Sequence, residues 1–323
     1  MSASLLYLSE ENVRKIGIPA DTMLELVAAT LRSKQAGGVE MPAKLGVHPR
    51  PRSFLHAMPG YLQDSDTVGL KWIGYYPDNL RHGIATINGL IILNQPDNGL
   101  PVALLDGNWI TAFRTAAVSA MSCQLLAQNM PTSLGLVGYG VQAESHLQLF
   151  NELFPLDRIQ VWGPDRERCR QFVDRNRDLY HLPITVAGSA EEAVRGKDLV
   201  ISVTPIGVTP VEQLQHRWLK PDAVVCPVEF DSAWDRELFQ QAGLLVTDDL
   251  GQFESYRNKG FFSGVPTPRT ELAELLTGKT SRVPERRGVA VAINLGIGLM
   301  DIAFAAYLCQ QAQARGIGQR LLR

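Results

Sequence analysis

Residues 133–143 read Ser-Leu-Gly-Leu-Val-Gly-Tyr-Gly-Val-Gln-Ala, and no other stretch restricts the fold so sharply. An apolar run over 134–137 stops at Gly138 and Gly140, and a helical pattern opens at Gln142. This is the Gly-x-Gly-x-x-Gly/Ala turn between a strand and a helix, with Ala143 as its third small residue. Gly138 permits the tight turn and Gly140 lets backbone approach a pyrophosphate. Ala143 lets the helix pack close to the strand, so that its first N–H groups face phosphate. Alone, the turn fits many dinucleotide-binding proteins. Its place near residue 135 of 323 leaves a long preceding segment with some other task.

The spacing predicts alternating strands and helices after the turn. Helices are expected over 142–151, 166–177, 190–195 and 236–242, and strands over 158–162, 184–186, 198–203, 223–228 and 244–246. This rhythm implies a Rossmann-type doubly wound, mostly parallel sheet across roughly 128–293. Residues 1–110 read differently: one helix over 19–35, stopped at Gly37-Gly38, then β-prone pieces over 53–57, 68–74, 85–93 and 102–105. Turn signals separate them (Pro59-Gly60, Pro77-Asp78-Asn79 and Pro96-Asp97-Asn98-Gly99), so an antiparallel sheet with one helix is expected there. An alanine-rich helix over 298–315 follows the last strand of the parallel sheet and is expected to return to the first domain. The expected division is therefore 1–127 with 296–323, an α+β domain, and 128–295, the dinucleotide domain.

Several function classes find no support. A net charge of −2 gives no electrostatic case for nucleic acid or an anionic membrane. No apolar run approaches the ~20 residues of a membrane span. The beginning, Met-Ser-Ala-Ser-Leu-Leu-Tyr-Leu-Ser-Glu-Glu, has no basic segment followed by a long apolar one, so a cytoplasmic location is expected. The four cysteines are far apart, with no Cys-x-x-Cys, and are expected to be reduced and buried. The six histidines form no His-x-x-x-His spacing, so no metal is expected. Gly-x-Ser-x-Gly and the P-loop pattern are absent.

Three places carry residues suited to chemistry. In Thr111-Ala-Phe-Arg114-Thr115-Ala-Ala, a threonine cap would put Arg114 and Thr115 in the first turn of a helix, where an anion is welcome. The alternative is an arginine paired with a surface carboxylate. Lys71 sits in the apolar strand Val68-Gly-Leu-Lys-Trp-Ile-Gly74. It either points to solvent from an edge strand or is desolvated in a site, where a lowered pKa suits acid/base work. Asp231 follows the strand Val224-Val-Cys-Pro-Val228, at the end where doubly wound sheets place ligands, although capping of the next helix explains it equally well. Thr204-Pro205 ends a strand along the same crevice, and Asp248-Asp249 reads as turn chemistry.

Taken together, these segments resemble the ornithine cyclodeaminase/μ-crystallin family, over essentially the whole chain. The resemblance rests on Met58-Pro59, Gly-Leu-Lys71-Trp, Pro77-x-Asn79, Thr111-Ala-x-Arg114-Thr115-Ala-Ala and Gly138-x-Gly140-x-Gln142-x-Glu144. It continues in Asp231 with Arg236-Glu237-Leu238 and in Asp301-Ile-Ala. What it implies is an NAD(P)-linked enzyme that moves hydride between nicotinamide and the α-carbon of an amino or imino acid. By the same resemblance, Lys71 and Arg114 bind the substrate α-carboxylate, with Lys44 assisting, and Asp231 is the proton donor/acceptor at the nitrogen. Asp231 and Lys71 are thus the expected catalytic residues, and Leu295 joins the expected substrate set. Thr86, Arg114, Val141, Gln142, Thr204 and Asn294 match cofactor-contacting positions. Thr115, Gly138, Gly140, Asp165 and Arg166 complete that set. The first domain is then a substrate-binding and dimerisation domain, since the family is typically dimeric through its N-terminal sheets. The chemistry fits, because an imine carbon accepts hydride readily once its nitrogen is protonated.

Departures from the family pattern refine the expectation. Ornithine-cyclising members carry an acidic residue shortly before Met-Pro; here His56 stands in that place, with Arg52 nearby. A cationic substrate side chain is then poorly served and a neutral or acidic one better, unless both are plain surface positions. Glu229-Phe-Asp231-Ser-Ala-Trp234 replaces the usual glycine-rich approach to Asp231. The expected reaction is reduction of a small imino acid or ketimine, reversibly, as in an amino acid dehydrogenase. A cyclodeaminase or a cleavage enzyme for an amino acid conjugate, and a μ-crystallin-like NADP-dependent binding protein, are the alternatives. At the end of the second parallel strand, where NAD-binding members place Asp, the chain has Gly163-Pro164-Asp165-Arg166. Loss of the acid removes repulsion of a 2′-phosphate, which Arg166 or Arg168 can bind, while Asp165 can still reach the ribose. NADP is expected, with NAD the alternative.

Overall fold

A computed structural model describes residues 4–206, 211, 213–279 and 287–322. By compactness the chain divides into two units, residues 1–114 with 296–323 and residues 115–295.

The first unit opens on β1 (Ser4–Leu8), α1 (Glu10–Ile16) and α2 (Ala20–Ala36). The start of α1 is a reciprocal cap, in which the Ser9 hydroxyl accepts from the Asn12 N–H and the Asn12 side chain accepts from the Ser9 N–H. Then come β2 (Val39–Glu40), β3 (Leu45–Val47), β4 (Phe54–Leu62), β5 (Thr67–Tyr75), β6 (Ile87–Asn94) and β7 (Pro101–Asp106). Helix α3 (Asn108–Leu126) begins in this unit and ends in the second.

The second unit alternates β8 (Ser133–Val137), α4 (Val141–Leu153), β9 (Arg158–Trp162), α5 (Arg166–Tyr180), β10 (Ile184–Val186), α6 (Ala190–Val194) and β11 (Leu199–Ser202). It continues through β12 (Val224–Pro227), α7 (Arg236–Gln240), β13 (Leu244–Thr247) and α8 (Leu250–Arg257). It ends in β14 (Thr270–Glu271), α9 (Leu272–Thr277) and β15 (Ala290–Ile293). The chain then returns to the first unit with α10 (Gly298–Arg315) and β16 (Gln319–Leu322).

The eight strands of the second unit lie in the order β10-β9-β8-β11-β12-β15-β13-β14, all parallel. Strand order reverses between β8 and β11, the switch point at which such sheets bind ligands. β8, β11, β12 and β15 are buried along their whole lengths, because helices cover both faces of a parallel sheet.

The sheet of the first unit runs β16-β1-β7-β6-β5-β4-β2, with β3 also on β4. It is not wholly antiparallel, as the spacing had suggested, and it carries α1 besides α2. β1 pairs parallel to β7, and β16 closes the edge antiparallel to β1. Local patterning misses these pairings because the partners are distant in sequence. Helix α10 packs on β4, β5 and β6. Gly60 makes that approach possible, since a Cβ there would lie 2.9 Å from Leu299 and 3.1 Å from Ile302.

Candidate functional site

Within the first unit, close packing of α10 on the sheet brings Asp301 to Lys71. Lys71 Nζ donates to Asp301 Oδ1 at 2.6 Å and to Thr111 Oγ1 at 3.5 Å. Arg114 Nε donates to the same Asp301 oxygen at 3.1 Å, while Oδ2 is buried without a hydrogen-bond partner. Lys71 and Asp301 are 1% and 0% exposed and Arg114 8%, so these charges lie out of water. Burial, and then the Arg114 charge, bring the Lys71 pKa down to about 7 against the pull of Asp301, and the Lys44 charge pushes the same way. One carboxylate thus faces two buried cations, and a third is near enough to be felt. Lys71 does not point to solvent: β5 is a central strand with neighbours on both sides.

The expected threonine cap is a correction. α3 starts at Asn108, where the Asp106 carboxylate accepts from the Asn108 N–H at 2.9 Å, and Thr111 N–H already bonds back to the Gly107 carbonyl. Thr111 and Arg114 therefore lie inside the helix, and it is Asp301 rather than a helix start that holds Arg114. Asp301 entered the sequence reading only through a motif. Its one visible signal was an acid in the first turn of an otherwise apolar helix face.

The glycine turn of the second unit is built as its pattern demands. Gly138 has φ 127°, and a Cβ there would meet the Val203 side chain at 2.7 Å and its carbonyl oxygen at 2.9 Å. Gly140 caps α4 and has open space beside its Cα, while Ala143 is fully buried. Val141, first in the helix, is 64% exposed. The side-chain oxygens of Gln142 and Asn294 are buried without partners, although Asn294 Nδ2 donates to Ser122 Oγ at 3.0 Å. An open N-terminal turn and two orphaned amide oxygens fit a dinucleotide. His146 belongs to the scaffold: its ring nitrogens meet the Gln142 carbonyl at 2.6 Å and Ser119 Oγ at 3.0 Å, and burial lowers its pKa to about 4.

At the end of β9, Gly163 is required by packing. A Cβ would fall 2.2 Å from the ring of Tyr139, the residue between the two turn glycines. Asp165 caps α5 by accepting from the Arg168 N–H at 3.0 Å, and Arg166 is exposed in the first turn. No group of three or more His, Cys, Asp or Glu suited to a metal occurs among the described residues. All four cysteines are buried and free.

Asp231 lies in the turn after β12 and is 1% exposed. It caps nothing, because the N-cap of α7 is Asp235. Its Oδ2 accepts from Arg236 Nη1 at 2.6 Å and from the Phe262 N–H at 3.0 Å, and its Oδ1 is buried without a partner. Arg236 was legible only as part of a motif. Thr204 follows β11 at the same end of the sheet. Leu295 packs in the hydrophobic cluster of this unit, and its N–H donates to Asp248 Oδ1 at 2.8 Å.

The remaining expected residues separate. His56 is buried on the inner face of β4, stacked on Phe54 at 4.0 Å, and is no surface position. Arg52 is exposed and bound to Asp78 at 3.3 Å. Lys44 is buried just before β3. Thr86 is half-buried ahead of β6 in the first unit, its carbonyl accepting from the Tyr76 N–H, and Thr115 lies within α3.

A parallel sheet with this turn at its switch point, together with a buried cation cluster in a second unit, defines a two-unit dinucleotide-binding α/β enzyme. The chain belongs to the ornithine cyclodeaminase/mu-crystallin family, whose model matches residues 8–316. It is 31% identical to the nodulation efficiency protein NfeD of Rhizobium meliloti over 98% of each chain. It is 34% identical to ketimine reductase mu-crystallin of Mus musculus over 87% of this chain and 88% of that one. Among solved structures, Thermococcus litoralis Δ(1)-pyrroline-2-carboxylate reductase, in complex with NADH and L-proline, superposes with a TM-score of 0.88. That match covers 98% of this chain and 100% of the other at 24% identity, which is a likeness of fold. The protein is an NAD(P)-dependent oxidoreductase of this family.

Proposed function

We propose that the protein reduces the C=N bond of a small imino acid or cyclic ketimine, reversibly, by hydride transfer to the α-carbon, with NADPH as the preferred donor. The observation that carries this reading is the Lys71–Asp301–Arg114 cluster, in which one carboxylate oxygen serves two buried cations. The cluster is one negative charge short when both cations are protonated, and an α-carboxylate supplies it. Asp301 orients the cations before the substrate arrives, which favours one substrate face over the other. Asp231 exchanges the proton at the nitrogen through Oδ1, the oxygen its protein partners leave unused. His56 lines the substrate's side chain; Arg52, engaged by Asp78, does not.

The dinucleotide, when bound, supplies or accepts the hydride. Gly138, Gly140, the first N–H groups of α4, Gln142, Thr204 and Asn294 would hold it. Preference for NADP is supported by the missing acid at Gly163, by Asp165 being committed to capping α5, and by the exposed Arg166. A homodimer is supported by the outer face of the first unit's sheet. There Trp72 (41% exposed) pairs with Leu90 (42% exposed), with the half-buried pair Leu70 and Ile92 next to it on the same face. No helix among the described residues is long and apolar enough to cross a membrane.

The experiment is a substrate panel with purified protein. NADPH and NADH are each tested with cyclic ketimine carboxylates, with α-keto acids plus ammonia or an amine, and, separately, NAD(P)+ with ornithine and lysine. The expected result is ketimine-dependent NADPH oxidation with a higher kcat/KM than NADH. Ammonia release from ornithine with only catalytic cofactor, or no turnover with any ketimine, would sink the proposal.

A further inference from the structure

Asp231 has a second carboxyl for a neighbour. Glu229, two residues earlier in the same turn, is 1% exposed, and neither of its carboxyl oxygens has a hydrogen-bond partner of full geometry. The Ser202 hydroxyl and the Thr204 N–H, at the end of β11, act on it. Ser202 Oγ accepts from Trp234 Nε1 at 2.9 Å, so its own proton remains available to Glu229. Two oxygens of Glu229, reached only by these weaker contacts, and Oδ1 of Asp231, which has no partner, are therefore buried in one short turn.

The backbone around the pair is strained as well. Phe230, between the two acids, has φ 69°, and Phe262, whose N–H donates to Asp231, has φ 56°. Aromatic residues rarely adopt left-handed backbone, and such strain persists only where surrounding packing over-determines it. Here the packing is an aromatic cluster, with Phe230 5.0 Å from Tyr256 and 5.7 Å from Phe262, and Phe262 4.6 Å from Phe253. A strained turn that holds two buried acids which act on one another, each with an oxygen lacking a full hydrogen bond, is costly for the fold, and the cost falls at the residue proposed to move the proton.

We infer that Glu229 is a positioning residue for proton transfer, holding the proton that Asp231 passes to the substrate nitrogen. This rests on the reading of Asp231 given above. In the reductive direction the Glu229 O–H breaks as an O–H forms on Asp231, that O–H breaks as the N–H forms, the C=N π bond opens and the carbon takes the hydride. Water then reprotonates Glu229, and Asp231 is again the carboxylate paired with Arg236. One hydride and one proton have been added across C=N, and both acids end as they began. Burial raises the Glu229 pKa to about 7 against the Ser202 hydroxyl and the N–H groups of Glu229 and Thr204, and the Asp231 charge raises it further. Arg236 is ion-paired with Asp231 at 2.6 Å.

The test is the pH dependence of reductive kcat for the wild type, Glu229→Gln, Glu229→Asp and Asp231→Asn, at saturating substrate so that the bound carboxylate keeps Lys71 charged. Wild-type kcat should fall as pH rises through about 7, where Glu229 loses its proton. Glu229→Gln should lower kcat below that transition by about a hundredfold, leave KM unchanged and abolish the transition. Glu229→Asp should restore a titrating limb. Should the Glu229→Gln profile keep the wild-type transition, Glu229 is overturned while Asp231 stands, provided that Asp231→Asn is inactive. Wild-type-like turnover by Asp231→Asn overturns both. Infrared difference spectra of the wild type need no variant: the carbonyl stretch of a protonated buried carboxyl should vanish as pH rises through the transition. Its absence below the transition also overturns the inference.

Discussion

Lys71 is a lysine whose usual charge is in question at neutral pH. Burial, then the Arg114 charge, lower its pKa from 10.5 to about 7, and Asp301 opposes them. A carboxylate ligand binds the protonated form. The affinity for a non-titrating planar mimic such as pyrrole-2-carboxylate should therefore fall as pH rises through about 7, by tenfold per unit above it. Calorimetric titration across pH measures this, and a pH-independent Kd would contradict it. The same shift has a stability sign. Its folded pKa lies below its unfolded one, so the unfolded chain binds more protons between about 7 and 10.5, and Lys71 makes stability rise with pH in that window. Lys71, Arg114 and Asp231 stood out because charges interrupt apolar patterns there, but the pattern left a structural alternative open for each, and only the family resemblance gave them site roles. Asp301 and Glu229 were not legible as site residues. Their meaning is burial beside another charge or beside nothing, which appears only when distant segments meet or when a turn closes.

Among the elements of the second unit, those up to β13 were expected from spacing, while α8, β14 and α9 were not. Its inner strands β11, β12 and β15 are short, largely apolar runs, and β9 and β10 fall where the spacing put them. The insertion of β15 between β12 and β13 was not legible, since parallel register is decided by packing between helices and not by local pattern. β1 and β16 escaped notice for a similar reason, each finding its partner at the opposite end of the chain. The absence of an acid at Gly163 was legible, but its steric cause was not: the Tyr139 ring occupies the space. The sheet of the first unit yields a prediction of its own. Its outer face leaves Trp72 and Leu90 exposed as cross-strand neighbours. Trp72→Glu should weaken a dimer through that face by about 2 kcal/mol or more without unfolding the chain, read by sedimentation equilibrium with circular dichroism. A wild-type monomer at micromolar concentration, or a dimer indifferent to the substitution, would remove the face from assembly.

For the whole molecule, the return of α10 to the first unit is what completes the cation cluster. A chain cut after the parallel sheet would keep Lys71 and Arg114 but lose Asp301. Two buried cations would then be left without their shared carboxylate, an arrangement that costs several kcal/mol, on the order of 3–5. The units divide the proposed chemistry: the first carries the carboxylate-binding cations, and the second carries the dinucleotide turn and the proton-transfer carboxyl. The proposed reaction passes hydride between nicotinamide and the α-carbon of an imino acid. Its most direct test is turnover of a cyclic ketimine with NADPH deuterated at the nicotinamide C4, each epimer in turn, with the product examined by NMR. Deuterium at the α-carbon from one epimer alone is predicted. Product carrying no deuterium from either epimer, or deuterium at any other carbon, would contradict it.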